Sequence, residues 1–273
     1  MEFFTLNNGK KIPAIGSGTN SFGKEGGFAG TYTGSTAEML SCIKAGYRLF
    51  DTAESYGNEE VIGKGIAQSG IAREEFIIET KMKIRNRDGG PAPVMGVRET
   101  EAAISRSLEK LGTDHIDVYL IHHPTNTLDE LKAVWGTFEE YCERGILGTI
   151  GVCNFTVNDL EQLLSFCRIR PALDQIHLNP EFPDRETVDF CKKNGIMPMA
   201  WSPLNFRQGR EELAAIAEKY GVSWSKLLLN YNWRNGIVSI PKSHSYEHQL
   251  DNIDVFGFDI SDEDMAAIRE MYI

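Results

Sequence analysis

Asp51, Tyr56, Lys81 and His122 are the residues of this chain best suited to chemistry. A phenol can donate a proton. An ammonium beside it stabilises the phenolate that remains, and a carboxylate can hold that ammonium charged and in place. An imidazole adds a further hydrogen bond to the group that accepts the proton. Gathered in space, the four would form a general acid tuned by a buried ion pair. Each also has a plain structural explanation when taken alone. A loop tyrosine usually packs or caps, and an Asp–Lys pair at the surface is worth little. His122 and His123 could be satisfied structural histidines, or with Glu54 could hold a metal in a barrel isomerase or hydrolase. No third ligand stands at the spacing of a zinc motif, so no metal is expected.

The positions of these residues matter more than their types. Each lies at, or a few residues past, the end of a short apolar run: 48–50, 76–78 and 116–121. Such runs read as buried strands. They belong to a longer rhythm. Asn7-Asn8-Gly9 between apolar residues predicts an N-terminal hairpin, since Asn and Gly accept positive φ. Strands are then expected at 14–18, 48–51, 76–80, 116–121, 149–152, 173–176, 197–200 and 237–241. Helices are expected between them, from about 36, near 58–69 and 97–111, from about 128, after a cap at 156, near 185–194, 209–220 and 223–233, and near 246–253. Ser35 with Glu38 suggests a capping box; Thr127 and Thr156 suggest N-caps and Gly112 a helix stop. A last helix is expected over 262–271.

Eight strand–helix units imply a parallel sheet with right-handed crossovers. The expected fold class is α/β, a (β/α)8 TIM barrel with an N-terminal β-hairpin, with an open doubly wound sheet as the alternative. No linker or composition shift divides 1–273, so one barrel domain is expected. In such barrels the loops after the strands share one face, where chemistry occurs. Gly18-Thr19-Asn20, Asp51, Tyr56, Lys81, His122, Cys153-Asn154, Gln175, Trp201-Ser202 and Lys242-Ser243 all stand there. The irregular segment 83–94, with Asp88-Gly89-Gly90-Pro91, is expected to be a flexible loop near that face.

Composition narrows the function. With 41% hydrophobic and 25% charged residues, the chain can bury a large core. Its formal net charge of −11 argues against nucleic acid or an anionic membrane as partner. No apolar stretch approaches the ~18 residues of a membrane span, and no signal peptide is evident. Five scattered cysteines without a Cys-x-x-Cys pair fit reduced thiols and a cytoplasmic setting. A monomer or weak oligomer is expected.

Four segments together resemble the aldo-keto reductase family. Residues 50–59, Phe-Asp-Thr-Ala-Glu-Ser-Tyr-Gly-Asn-Glu, look like its Asp-x-Ala-x-x-Tyr-x-Asn-Glu signature. Leu120-Ile121-His122-His123-Pro124 is similar to Leu-Ile-His-Trp-Pro, with His123 for tryptophan. Ile150-Gly151-Val152-Cys153-Asn154-Phe155 is similar to Gly-Val-Ser-Asn-Phe, with cysteine for serine, and Ile240-Pro241-Lys242-Ser243 matches Ile-Pro-Lys-Ser. The resemblance implies a (β/α)8 barrel that reduces a small aldehyde, ketone or keto-sugar with NADPH, NADH being a second option. By the same resemblance Tyr56 is the general acid, Lys81 lowers its pKa, Asp51 holds Lys81, and His122 bonds the carbonyl.

The resemblance also implies a cofactor site. Asn154, Gln175 and Cys153 would hold the nicotinamide carboxamide, and Trp201 would stack on the ring, where the family usually has tyrosine. Ser202, Leu204 and nearby Arg207 would meet the pyrophosphate, Asp51 would also touch the nicotinamide ribose, and Gly18 and Thr19 would be further cofactor contacts. Lys242 and Ser243 would clamp the 2′-phosphate and Asn252 the adenine, while His248 replaces the family's arginine. A mostly neutral histidine grips phosphate less well than a guanidinium, so NADPH should lead NADH by a reduced margin. No Gly-x-Gly-x-x-Gly fingerprint is present, against a Rossmann dehydrogenase. Asn20, Phe22, His123 and Trp201 would line the substrate pocket, and the tail ending at Ile273 suggests a pocket less covered than in longer relatives. Asn20 and His123 would make it polar. The competing reading is a cofactor-binding regulatory or redox-sensing barrel subunit.

Overall fold

In a computed structural model, residues 1–84 and 94–272 are described. Most of the 83–94 segment, expected as a loop beside the site, lies outside them. Eight strands form one parallel sheet: β1 Ser17–Gly18, β2 Leu49–Asp51, β3 Ile77–Met82, β4 Val118–Ile121, β5 Ile150–Cys153, β6 Leu173–His177, β7 Met197–Trp201 and β8 Val238–Ile240. They pair in sequence order, each with the next. Bonds from Gly16 N to Ser239 O (2.9 Å), Ser239 N to Ala14 O (3.0 Å) and Gly18 N to Pro241 O (3.1 Å) draw the last strand back to the first. The sheet is therefore a barrel with helices between its strands.

Alternation along the strands divides the core. On β4, Val118 and Leu120 join Leu49, Leu173, Met199, Val238 and Ile240 inside the barrel. Tyr119 and Ile121 face the surrounding helices. The expected hairpin pairs Phe3–Thr5 with Lys11–Pro13 and contributes Leu6 and Ile12 to the inner cluster. Gly151 on β5 permits close strand approach, because a Cβ there would meet Leu173 O at 2.6 Å.

Most helix punctuation follows the sequence reading. Thr127 and Thr156 accept bonds from the amides of Glu130 and Asp159. Gly112 ends Val97–Leu111 in the left-handed conformation. The Ser35–Glu38 capping box does not form. Thr36 is the N-cap of Ala37–Ala45, and its hydroxyl donates to Gln68 at 2.6 Å instead. Three short elements go beyond the sequence reading: a 3-10 turn at Arg73–Glu75, a hairpin of Lys24–Glu25 with Thr31–Tyr32, and a 3-10 turn at Glu54–Tyr56. The last two lie beside the expected site.

Candidate active site

The register of the barrel assembles the site. Asp51 on β2 stands opposite Glu79 on β3, Cys153 on β5 opposite Gln175 on β6, and His177 on β6 opposite Trp201 on β7. Lys81 follows Glu79 by two residues and so shares its inward face. The Lys81 ammonium, fully buried, is paired with Asp51 Oδ1 and donates to Thr52 O at 3.0 Å. It also lies 3.2 Å from Tyr56 Oη. The structure thus brings together the ion pair and the phenol.

Tyr56 is carried by the 3-10 turn, which Glu54 ties down. Glu54 accepts two bonds from Arg106 (2.9 and 2.6 Å) and one from the Lys83 amide at 3.1 Å. The His122 ring meets Tyr56 edge-on at 5.6 Å and stacks on His123 at 4.8 Å. Ser55 Oγ lies 3.2 Å from His122 Nδ1. Among the described residues, no group of three or more His, Cys, Asp or Glu could hold a metal ion.

The electrostatics follow from burial. Burial, reinforced by Lys81 and His123, holds His122 down to about 2, so the imidazole is neutral. Burial alone would lower Lys81, but the carboxylate of Asp51 paired with it is the largest opposing influence, and the pKa ends raised. Tyr56 differs from expectation. Burial pushes the phenol above its ordinary value, and the opposing pull of Lys81 does not cancel it.

A cleft of about 390 Å³ opens above these groups. Gly18, Thr19, Asn20, Asp51, Tyr56, Trp201, Ser202, Leu204 and Lys242 are among its lining residues. Trp201 stacks on His177 at 3.9 Å, and its indole N–H donates to Asn154 Oδ1 at 2.9 Å. Asn154 and Ser202, just past β5 and β7, both have left-handed backbones (φ 61 and 52), a costly state for serine that often marks a functional turn. Lys242 Nζ donates to Asn20 Oδ1 (3.0 Å) and Ser21 Oγ (2.9 Å).

Other expected residues stand further back. Cys153 and Gln175 are buried beneath the cleft. The Ser243 hydroxyl is bonded to the Ser245 backbone, Asn252 is buried, and His248 is exposed on Tyr246–Ile253. Arg207 is exposed, and its amide donates to Glu181 at 2.6 Å. Phe22 does not line the cleft. It is fully buried, edge-on to His244 at 5.7 Å, because it faces the core of the barrel wall. Phe28, missed in the sequence, packs edge-on against Tyr56 at 5.9 Å. The short hairpin places it, and two-residue strands leave too little periodicity to be read.

Comparison with known proteins agrees with this geometry. The sequence profile described as "Aldo/keto reductase family" matches residues 14–273. Glyoxal reductase of Bacillus subtilis (strain 168) is 39% identical over 265 residues, covering 96% of this chain and 90% of the relative. Morphine 6-dehydrogenase of Pseudomonas putida is 35% identical over 281 residues, covering 97% and 90%. An aldo/keto reductase structure from Brucella melitensis aligns with a TM-score of 0.87 at 35% identity over 99% of both chains. A Bombyx mori aldo-keto reductase solved in complex with NADP aligns at 0.86 and 32% identity, over 99% of this chain and 92% of that one. With a matching profile along almost its whole length and relatives this similar, the chain is an oxidoreductase belonging to the aldo/keto reductase family.

Proposed function

We propose that this chain reduces a small aldehyde, ketone or keto-sugar to the alcohol with NADPH, and that Tyr56 is the general acid. The observation that carries the reading is the 3.2 Å contact of the Tyr56 phenol with a fully buried ammonium that Asp51 holds in place. The cleft suits a dinucleotide. Asp51, Tyr56, Trp201 and Lys242 line it together, and the Trp201 indole is backed by His177. Asp51, Asn154, Gln175 and Trp201 would hold the nicotinamide end, Ser202 and Leu204 the pyrophosphate, and Lys242 the 2′-phosphate. When bound, the reduced nicotinamide supplies the hydride.

The protein's own groups do the rest. Tyr56 hands its proton to the carbonyl oxygen as charge develops there. Lys81 stabilises the phenolate left behind, and Asp51 fixes Lys81. His122 is neutral and has one N–H to give. In the tautomer whose Nδ1 accepts from the Ser55 hydroxyl 3.2 Å away, that proton is on Nε2 and would be offered to the same oxygen. Asn20 lines the cleft and gives it polar character, which favours hydroxylated carbonyls; His123, expected there, is not among the lining residues and instead stacks on His122. The exposed His248, in place of arginine, leaves Lys242 to supply most of the phosphate grip and narrows the margin over NADH.

Replacement of Tyr56 by phenylalanine tests the assignment. NADPH oxidation over a panel of aldehydes, ketones and keto-sugars should fall by about 10²–10⁴-fold while NADPH affinity is nearly unchanged. Near-normal turnover would remove Tyr56 as the acid. Hydrophobic aldehydes outrunning sugars and keto acids would remove the polar-substrate reading.

A further inference from the structure

Glu79 is a buried carboxyl that the proposed reaction leaves unused. It is fully buried two residues before Lys81. Its Oε1 accepts a hydrogen bond from Gln175 Nε2 and lies 4.0 Å from Lys81 Nζ. Its Oε2 has no hydrogen-bond partner among the described residues. The same Gln175 nitrogen donates to Asp51 Oδ1 at 2.9 Å, with Met199 Sδ 3.5 Å away. Gln175 Oε1 faces the thiol of Cys153 at 3.7 Å. Both N–H bonds of this amide are therefore taken by carboxyl groups, while among the described residues its oxygen keeps only a weak thiol donor.

An amide side chain can be turned end for end at little cost unless its neighbours choose. Here two acceptors on one side choose. We propose that Glu79 is a positioning residue: with Asp51 it fixes Gln175 so that the amide oxygen, and not the nitrogen, is offered to the carboxamide N–H of the nicotinamide. This rests on the cofactor reading above. The charged groups that act on Glu79 are Asp51 on β2 and Lys81 on β3, with the uncharged Cys153 thiol on β5 nearby. One ammonium serves two carboxyls. Ionising Asp51 balances it; ionising Glu79 as well would leave an anionic oxygen without a donor in a dry interior. Burial and the neighbouring Asp51 hold Glu79 well above the ordinary carboxylate range. As a neutral acid its carbonyl oxygen is a good acceptor for Gln175.

The test uses Glu79→Gln, Glu79→Val, Gln175→Leu and the Val/Leu double variant. NADPH affinity is read from protein fluorescence, and the Gln175 side-chain amide from its ¹H–¹⁵N signals in the cofactor-free protein. Glutamine imitates a neutral acid, so Glu79→Gln should bind within about twofold of the parent. Glu79→Val should bind about fivefold more weakly, the worth of one net hydrogen bond. The double variant should be no weaker than Gln175→Leu alone. The Gln175 amide signals should move in Glu79→Val and stay in Glu79→Gln. Unmoved signals in Glu79→Val, parental affinity there, or independent effects in the double variant would each overturn the inference. If the parent protein fails to bind NADPH, the cofactor reading falls, and the amide signals still decide what Glu79 does. If Glu79→Val does not fold, Glu79→Asp withdraws the acid by one methylene and replaces it in every comparison.

Discussion

Replacing Lys81 with methionine removes the ammonium and keeps most of its stem. The Nζ–Oη distance of 3.2 Å sets the size of the effect. A unit charge that close to a phenolate is worth ~5 kcal/mol at an effective dielectric of about 20. Only part of that charge exists in the transition state. With about half of it transferred, roughly 2.6 kcal/mol is lost, or ~10²-fold in kcat/KM. The same change strands Asp51, which is 3% exposed and would keep Gln175 as a partner but no cation. Breaking a buried pair from one side costs about 3–5 kcal/mol of stability. The two effects separate in Lys81→Met/Asp51→Asn, which should regain stability without regaining rate. Initial rates of NADPH oxidation, urea unfolding and cofactor titration of both variants supply the comparison. A folded Lys81→Met enzyme within about threefold of the parent kcat/KM would refute the electrostatic argument.

Three further outcomes follow from burial and packing. His122 has its folded pKa depressed from 6.5 to about 2, so its contribution to stability is complete above 6.5 and lost as pH falls below it. The loss is about 1.4 kcal/mol per pH unit, roughly 2 kcal/mol by pH 5; His122→Asn should remove it in paired urea melts, and an unchanged difference would contradict this. Cys42, Cys153 and Cys191 are buried, and burial pushes the half-buried Cys142 up to about 11. A thiol reagent should therefore modify at most two of the five cysteines of the native protein, slowly, and all five after unfolding. Rapid labelling of a third would show an opening that the packing does not allow. Gly63→Ala would place a Cβ 2.1 Å from Leu111 O, where helix Glu59–Ser69 crosses Val97–Leu111. It should destabilise by about 1–3 kcal/mol despite a helix-propensity gain of ~1 kcal/mol, and a stabilised variant in denaturant would refute the close approach.

The barrel was legible because each buried strand is a short apolar run set between helical patterns and turn residues. Asp51, Tyr56, Lys81 and His122 were legible because strand ends share one face in such a fold. What stayed hidden depended on partners from distant strands. Nothing local distinguishes Phe22, which faces the core, from a pocket residue. The 3-10 turn under Tyr56 is fixed by Arg106, fifty-two positions from Glu54. Glu79 reads as a polar interruption of an apolar strand, and only the register with β2 and the reach of Gln175 give it neighbours.

The Tyr56 phenol shows why a residue's neighbours are not enough to set its behaviour. From sequence, an adjacent Lys81 argues for a lowered pKa. In the assembled site burial is the larger influence, and the cofactor-free phenol keeps its proton more firmly than tyrosine in water. That is compatible with acid catalysis. The proton is needed only when the carbonyl oxygen is becoming an alkoxide, a far stronger base than the carbonyl it replaces. At that moment Lys81 lies 3.2 Å from the oxygen that must carry the negative charge. A buried site magnifies this stabilisation along with the penalty on premature ionisation. The same burial that keeps Tyr56 protonated at rest therefore makes Lys81 most effective during transfer. On this argument activity should stay flat well into alkaline pH, since the resting acid does not ionise near 10. An alkaline limb in kcat/KM near 7, moved by Lys81→Met, would show that the phenol is already lowered before reaction.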